Sequence, residues 1–81
     1  MTKQEFESKI LQAKIMRDLG DKAYYYEGYM RGLRRAYQGR KFGTSKEHEK
    51  WLALVLDPDE TRREKGRGYQ DGLQEKSPAT T

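Results

Sequence analysis

The chain has 81 residues, 33% hydrophobic and 37% charged, which allows one small domain with a thin core and no second one. It contains no cysteine, so disulfides and thiolate metal sites are excluded as sources of stability, leaving helix packing, oligomerisation or docking on a larger partner. A net charge of +4 is too small for a strong non-specific DNA binder, and no apolar run approaches the roughly 18 residues of a membrane span.

The opening residues Met1-Thr2-Lys3-Gln4-Glu5 carry no apolar segment of signal-peptide type, so a cytoplasmic location is expected. Thr2 and Glu5 make a capping box and predict a first helix over residues 3–19. Its apolar residues fall on two sides: Phe6, Ile10 and Ala13 on one, Leu11, Ile15 and Leu19 nearly opposite, with Met16 between. One side meets the domain. The other either wedges against a further neighbour or meets a second copy of the chain or a partner helix.

Gly20 is placed to stop that helix and Asp21 to cap the next, which is predicted to run to about Gln38 and end at Gly39. This second helix holds most of the tyrosines. Tyr26, Met30, Leu33 and Tyr37 form one stripe, and Gly28, Gly32 and Ala36 form another with little or no side chain. A glycine in a helix costs roughly 1 kcal/mol relative to alanine, so such a pair suggests the close approach of another backbone. Arg31, Arg34, Arg35, Arg40 and Lys41 make a basic strip along and beyond the helix end; residues 21–43 hold six basic residues and two acidic ones, whereas residues 44–60 hold two and five. Cations also suit a helix C-terminus for dipole reasons alone.

A second capping box, Thr44 and Glu47, opens a third helix carrying the only tryptophan. Its face of His48, Trp51, Leu52 and Val55, in the most apolar run of the chain, is expected to anchor the core. Asp57-Pro58-Asp59-Glu60 predicts a new start, with Pro58 at the first helical position of a helix over about 58–75. That helix is charged at first and then carries Gly66, Gly68 and Gly72. Residues 68–73, G-Y-Q-D-G-L, repeat the G-Y-M-R-G-L of residues 28–33, so the last helix is expected to pack on the Gly28 and Gly32 stripe. Residues 77–81 read as a disordered tail after a single helical domain over 1–76.

Catalytic chemistry finds little footing. Ser8, Ser45 and Ser77 lie in no nucleophile context, and His48 has no second histidine, so it reads as a residue at the edge of the core. Asp57, Asp59 and Glu60 read as capping groups rather than cation ligands. The phosphate-loop, zinc-finger, homeodomain and RNA-recognition-motif patterns are absent. Tyrosines interleaved with arginines suit stacking on unpaired bases beside phosphate contacts. In a chain poor in aliphatics, however, Tyr26, Tyr29 and Tyr69 are expected in the core, leaving Tyr24, Tyr25 or Tyr37 free.

The segment R-G-Y-Q-D-G-L over residues 67–73 resembles the R-G-Y-Q-x-G-hydrophobic segment of the ribosome modulation factor family, small basic helical proteins of the bacterial small ribosomal subunit. The stretch from Gly28 to Leu52 is also similar to small uncharacterised proteins of proteobacteria and their mobile elements. A short, basic, cysteine-free chain fits a phage or mobile-element inhibitor of a host machine such as a CRISPR effector as well. What these resemblances imply is docking on a ribonucleoprotein surface. The expectation is therefore an all-α bundle of four helices with a close glycine-mediated crossing, acting without catalysis, cofactor, metal or small-molecule substrate. It would occlude an RNA-containing machine through Arg31, Arg34, Arg35, Arg40, Lys41 and Tyr37. The alternative is a protein interaction module, a homodimer or a partner of Leu11, Ile15 and Leu19, that meets no nucleic acid; a DNA-binding regulator comes third.

Overall fold

The first helix, α1 (Lys3–Asp18), starts where the Thr2 side chain accepts from the Glu5 amide at 3.1 Å, as the capping box requires. It is followed by α2 (Ala23–Gln38), α3 (Ser45–Ala53) and α4 (Glu60–Leu73), with 3₁₀ turns at Gly39–Lys41 and Leu54–Leu56. The computed structural model describes residues 1–20 and 22–76, with the backbone alone at Arg40; the expected cap Asp21 and the expected tail 77–81 lie outside the described residues. Among the described residues the chain adopts the all-α class, with four α-helices and no strand.

The frame is the crossing of α2 and α4. A Cβ on Gly28 would overlap the Lys65 carbonyl, and one on Gly32 the Tyr69 carbonyl. Reciprocally, a Cβ on Gly68 would overlap the Tyr25 carbonyl and one on Gly72 the Tyr29 carbonyl. Successive contacts advance in the same sense along both helices, so α2 and α4 run parallel. Adding forty to the α2 number and subtracting forty from the α4 number turns the Gly28–Lys65 contact into its mirror, Gly68 against Tyr25, so the sequence repeat is also a repeat of contacts. At such separations backbone meets backbone, and Cα–H groups approach carbonyl oxygens where side chains would otherwise stand. Two expected members do not take part. Gly66 faces the 3₁₀ turn instead, 2.6 Å from the Val55 nitrogen to an added Cβ, and Ala36 is exposed.

The core comprises Ile10 and Ala13 of α1, Tyr25, Tyr26, Tyr29, Met30 and Leu33 of α2, and Tyr69 of α4. Tyr25, expected among the free tyrosines, is buried, because its carbonyl meets Gly68 while its hydroxyl donates to the Asp71 carboxylate. Buried tyrosines send their polar ends outward in the same way elsewhere: Tyr29 donates to the Lys76 carbonyl at 2.8 Å, and the Tyr69 hydroxyl meets His48 Nδ1 at 2.6 Å. Burial, with the Asp71 carboxylate adding to it, pushes the Tyr29 phenol up to about 12 from 10.0. A proton held more tightly in the folded state gives stability that is complete below pH 10.0 and lost as pH rises through about 12. Thermal midpoints followed into alkali should fall across that window, and Tyr29→Phe should flatten the fall.

The Trp51 helix corrects the expectation most. α3 contributes no buried residue, Trp51 is only half-buried, and the apolar run ends in the Leu54–Leu56 turn with Leu56 86% exposed. Nine residues are too few to enter a core already filled by tyrosine rings, so α3 caps one edge of α4. The start of α4 also shifts. Asp57 Oδ1 accepts from the Asp59 amide at 2.8 Å, placing Pro58 in the turn ahead of the helix rather than in its first turn.

At its far end α4 closes in a Schellman turn, with Lys76 N–H donating to the Asp71 carbonyl and Glu75 N–H to the Gly72 carbonyl. Glu75 occupies the left-handed position at φ 56°, where glycine is favoured. This turn holds the Lys76 carbonyl under Tyr29 and the Glu75 carbonyl 2.8 Å from Lys9 Nζ, tying α1, α2 and α4 together. Glu75→Gly should raise unfolding stability by up to about 1 kcal/mol in chemical denaturation, since it relieves the left-handed strain, leaves both carbonyls in place and gives up only the 3.5 Å pair of the Glu75 carboxylate with the Met1 amino group.

Candidate functional site

Arg31, at the middle of α2, points toward α3 and is half-buried. Its guanidinium lies 4.9 Å from the Trp51 ring centre and 5.4 Å from that of Phe42, and it pairs with Glu47 at 3.1 Å. Arg35, one turn on, donates to the Phe42 carbonyl at 2.9 Å and the Gly43 carbonyl at 3.4 Å, bracing the loop before α3. Both belong to a second small cluster, with Trp51 5.5 Å from Tyr69 ring to ring and His48 on the Tyr69 hydroxyl. Burial raises the Tyr69 pKa, partly offset by the nearby Arg35 and Arg31 charges, while Glu47 adds to the rise. The cluster is what fastens α3, and His48 lies at the core edge as expected.

The basic strip is thus divided. Arg31 and Arg35 have internal partners, while Arg34 has no ion pair among the described residues and Lys41 is exposed. Tyr37 keeps 38% of its surface exposed but stacks on Phe6, ring centres 4.3 Å apart and 10° from parallel, which joins the start of α1 to the end of α2. The backbone of Arg40 continues the strip into the 3₁₀ turn. Sequence spacing places all six along the second half of α2 and just beyond it. It does not reveal which of them another element of the chain occupies.

The outer face of α1 presents the other candidate surface. Phe6, Ile10, Ala13 and Met16 face or pack against the core, while Leu11, Ile15 and Leu19 are 59%, 53% and 71% exposed. Among the described residues no other element covers them. The fold's thinnest extent is 16 Å, room for two helix layers at an interaxial distance of about 8–10 Å and no third.

A third feature was not legible in the sequence, an open groove of about 660 Å³ between the start of α2 and the outer side of α4. Lys22, Tyr24, Glu60, Glu64, Arg67 and Asp71 line it. Their i, i+3 and i+4 spacing along α4 was the available signal. Glu64 and Arg67 pair at 3.0 Å across its wall, and Asp71 accepts from the Tyr25 hydroxyl, so these three side chains already have partners within the chain. Arg62 similarly spans Asp57 and Asp59 at 3.7 and 3.8 Å, giving these acids a structural role. Among the described residues no three His, Asp or Glu side chains converge, and no helix is long and apolar enough to cross a membrane. The chain matches no family model, no curated protein and no solved structure with which it was compared.

Proposed function

We propose that the protein is a non-catalytic interaction module that docks on a second protein chain, its own copy or a partner, through the outer face of α1. The observation that carries this reading is the uncovered row Leu11, Ile15 and Leu19, each more than half exposed on one helix face. Single exposed leucines are ordinary on protein surfaces, whereas a contiguous row at helical spacing is the apolar anchor of helix-in-groove and helix-on-helix recognition. Burying the exposed parts of the three side chains supplies on the order of 4 kcal/mol before the costs of association. The arginine cluster supports the same choice in a negative sense, because its two central members already brace α3.

A second reading keeps the ribonucleoprotein partner, with Arg34, Lys41 and Arg40 contacting phosphate beside the exposed edge of Tyr37. What favours it is that Arg34 and Lys41 have no ion-pair partner among the described residues at the basic end of α2. One experiment separates the two. Tagged protein is isolated from its native cells with and without ribonuclease, as wild type, Ile15→Asp and Arg34→Glu/Lys41→Glu. The protein-docking reading expects a nuclease-resistant partner that Ile15→Asp loses and the charge-reversed form keeps. Ribonuclease-sensitive recovery abolished by the charge reversal alone would replace it with the ribonucleoprotein reading.

A further inference from the structure

The exposed row also specifies its partner, an inference that rests on the protein-docking reading. Leu11, Ile15 and Leu19 form one i, i+4 ridge. Lys14 and Asp18 border one side of it, Ser8 and Gln12 border the other, and Glu7 continues the ridge one turn before Leu11. Lys14 is exposed with no ion pair among the described residues. Asp18, 72% exposed at its side chain, holds only the neighbouring Arg17 at 3.4 Å.

We propose that a second copy of this chain covers the face, its α1 packed antiparallel to the first about a two-fold axis at Ile15. Ile15 then meets its own counterpart, and each Leu11 lies over the Leu19 of the other copy, so all six aliphatic side chains are used. Around such an axis a flank faces the same flank of the other copy. Lys14 and Asp18, offset by about 3 Å along the helices in this register, form two reciprocal ion pairs. Charge rejects the neighbouring arrangement. Centring the pair two residues earlier sets Leu19 against Glu7 and brings Glu7 within about 1.5 Å of the level of Asp18, acid against acid. A parallel pair separates Lys14 from Asp18, because opposite flanks then meet, and aligns the helix dipoles instead of opposing them. Three aliphatic side chains per copy on a 16-residue helix fall below the roughly 1,200 Å² of a standard interface, so the dimer is reversible and dependent on concentration.

Sedimentation velocity of the full chain from micromolar to millimolar concentration tests this, with circular dichroism confirming that every variant keeps its helices. Wild type should shift from monomer to dimer, and Ile15→Asp should stay monomeric. Lys14→Asp and Asp18→Lys should each weaken the dimer by up to about tenfold, and the double reversal should restore it, because the pairs are reciprocal. As the native chain has no cysteine, Ile15→Cys should give a single disulfide-linked dimer on mild oxidation. Wild type that stays monomeric at millimolar concentration overturns the self-pairing. If Ile15→Asp then still abolishes a nuclease-resistant partner, the protein-docking reading stands without it. A dimer indifferent to Ile15→Asp overturns the self-pairing through this face, and protein docking through α1 falls with it if no partner is lost. An Ile15-dependent dimer that the double reversal fails to restore overturns the register.

Discussion

Gly68→Ala is expected to abolish cooperative folding, lowering unfolding stability by more than about 4 kcal/mol, a large share of what a domain of this size holds. The sign makes this informative. Helix propensity alone predicts that replacing a helical glycine with alanine stabilises by roughly 1 kcal/mol. Here the added methyl would overlap the Tyr25 carbonyl and lie 2.7 Å from the Tyr29 nitrogen, both backbone atoms that no rotamer change can move. Relief requires the axes of α2 and α4 to separate, which strips contacts from Tyr25, Tyr29 and Tyr69 together. Gly32→Ala would set its methyl against the Tyr69 carbonyl at the same crossing and should behave alike. Thermal melts followed by far-ultraviolet circular dichroism check this. A raised midpoint in either variant would mean that the two helices do not touch backbone to backbone.

Arg35→Glu should lower stability by about 2 kcal/mol, whereas Arg34→Glu, one residue away, should change it by less than about 0.5 kcal/mol. Arg35 donates to two loop carbonyls, and a carboxylate in its place would face those same oxygens with Glu47 nearby. The loop would then release the Phe42 ring from Arg31 and loosen α3, which has no buried residue of its own to hold it. Urea denaturation gives both numbers. Equal small losses would return Arg35 to the surface strip and strengthen the ribonucleoprotein reading; the expected inequality leaves Arg34 and Lys41 as the positions where a charge change reports on binding rather than folding.

The crossing was legible because glycine at a fixed spacing inside a helix has few uses, and its recurrence forty residues later named both partners. Caps at Thr2 and Thr44 were legible because the hydroxyl and the amide it serves lie three residues apart. The two-sided pattern of α1 could be read directly from helical periodicity. The destination of Arg31 and Arg35 could not, since it depends on where Trp51, Phe42 and Glu47 arrive through the fold. Trp51 itself misled, because an apolar run suggests a core, yet the tyrosines of α2 and α4 had already filled that volume through the close crossing. Tyr25 was misplaced for a related reason: its burial follows from the Gly68 contact and the Asp71 acceptor, neither of which its own helical stripe contains.

The most direct test of the self-pairing given to α1 is a dilution series of ¹⁵N and methyl nuclear magnetic resonance spectra from millimolar to micromolar concentration. Concentration-dependent shifts confined to Leu11, Ile15, Leu19 and their flanks Lys14 and Asp18, absent in Ile15→Asp, are the predicted result. Spectra that do not change on dilution, or shifts centred on Arg34, Tyr37 and Lys41 instead, would contradict it.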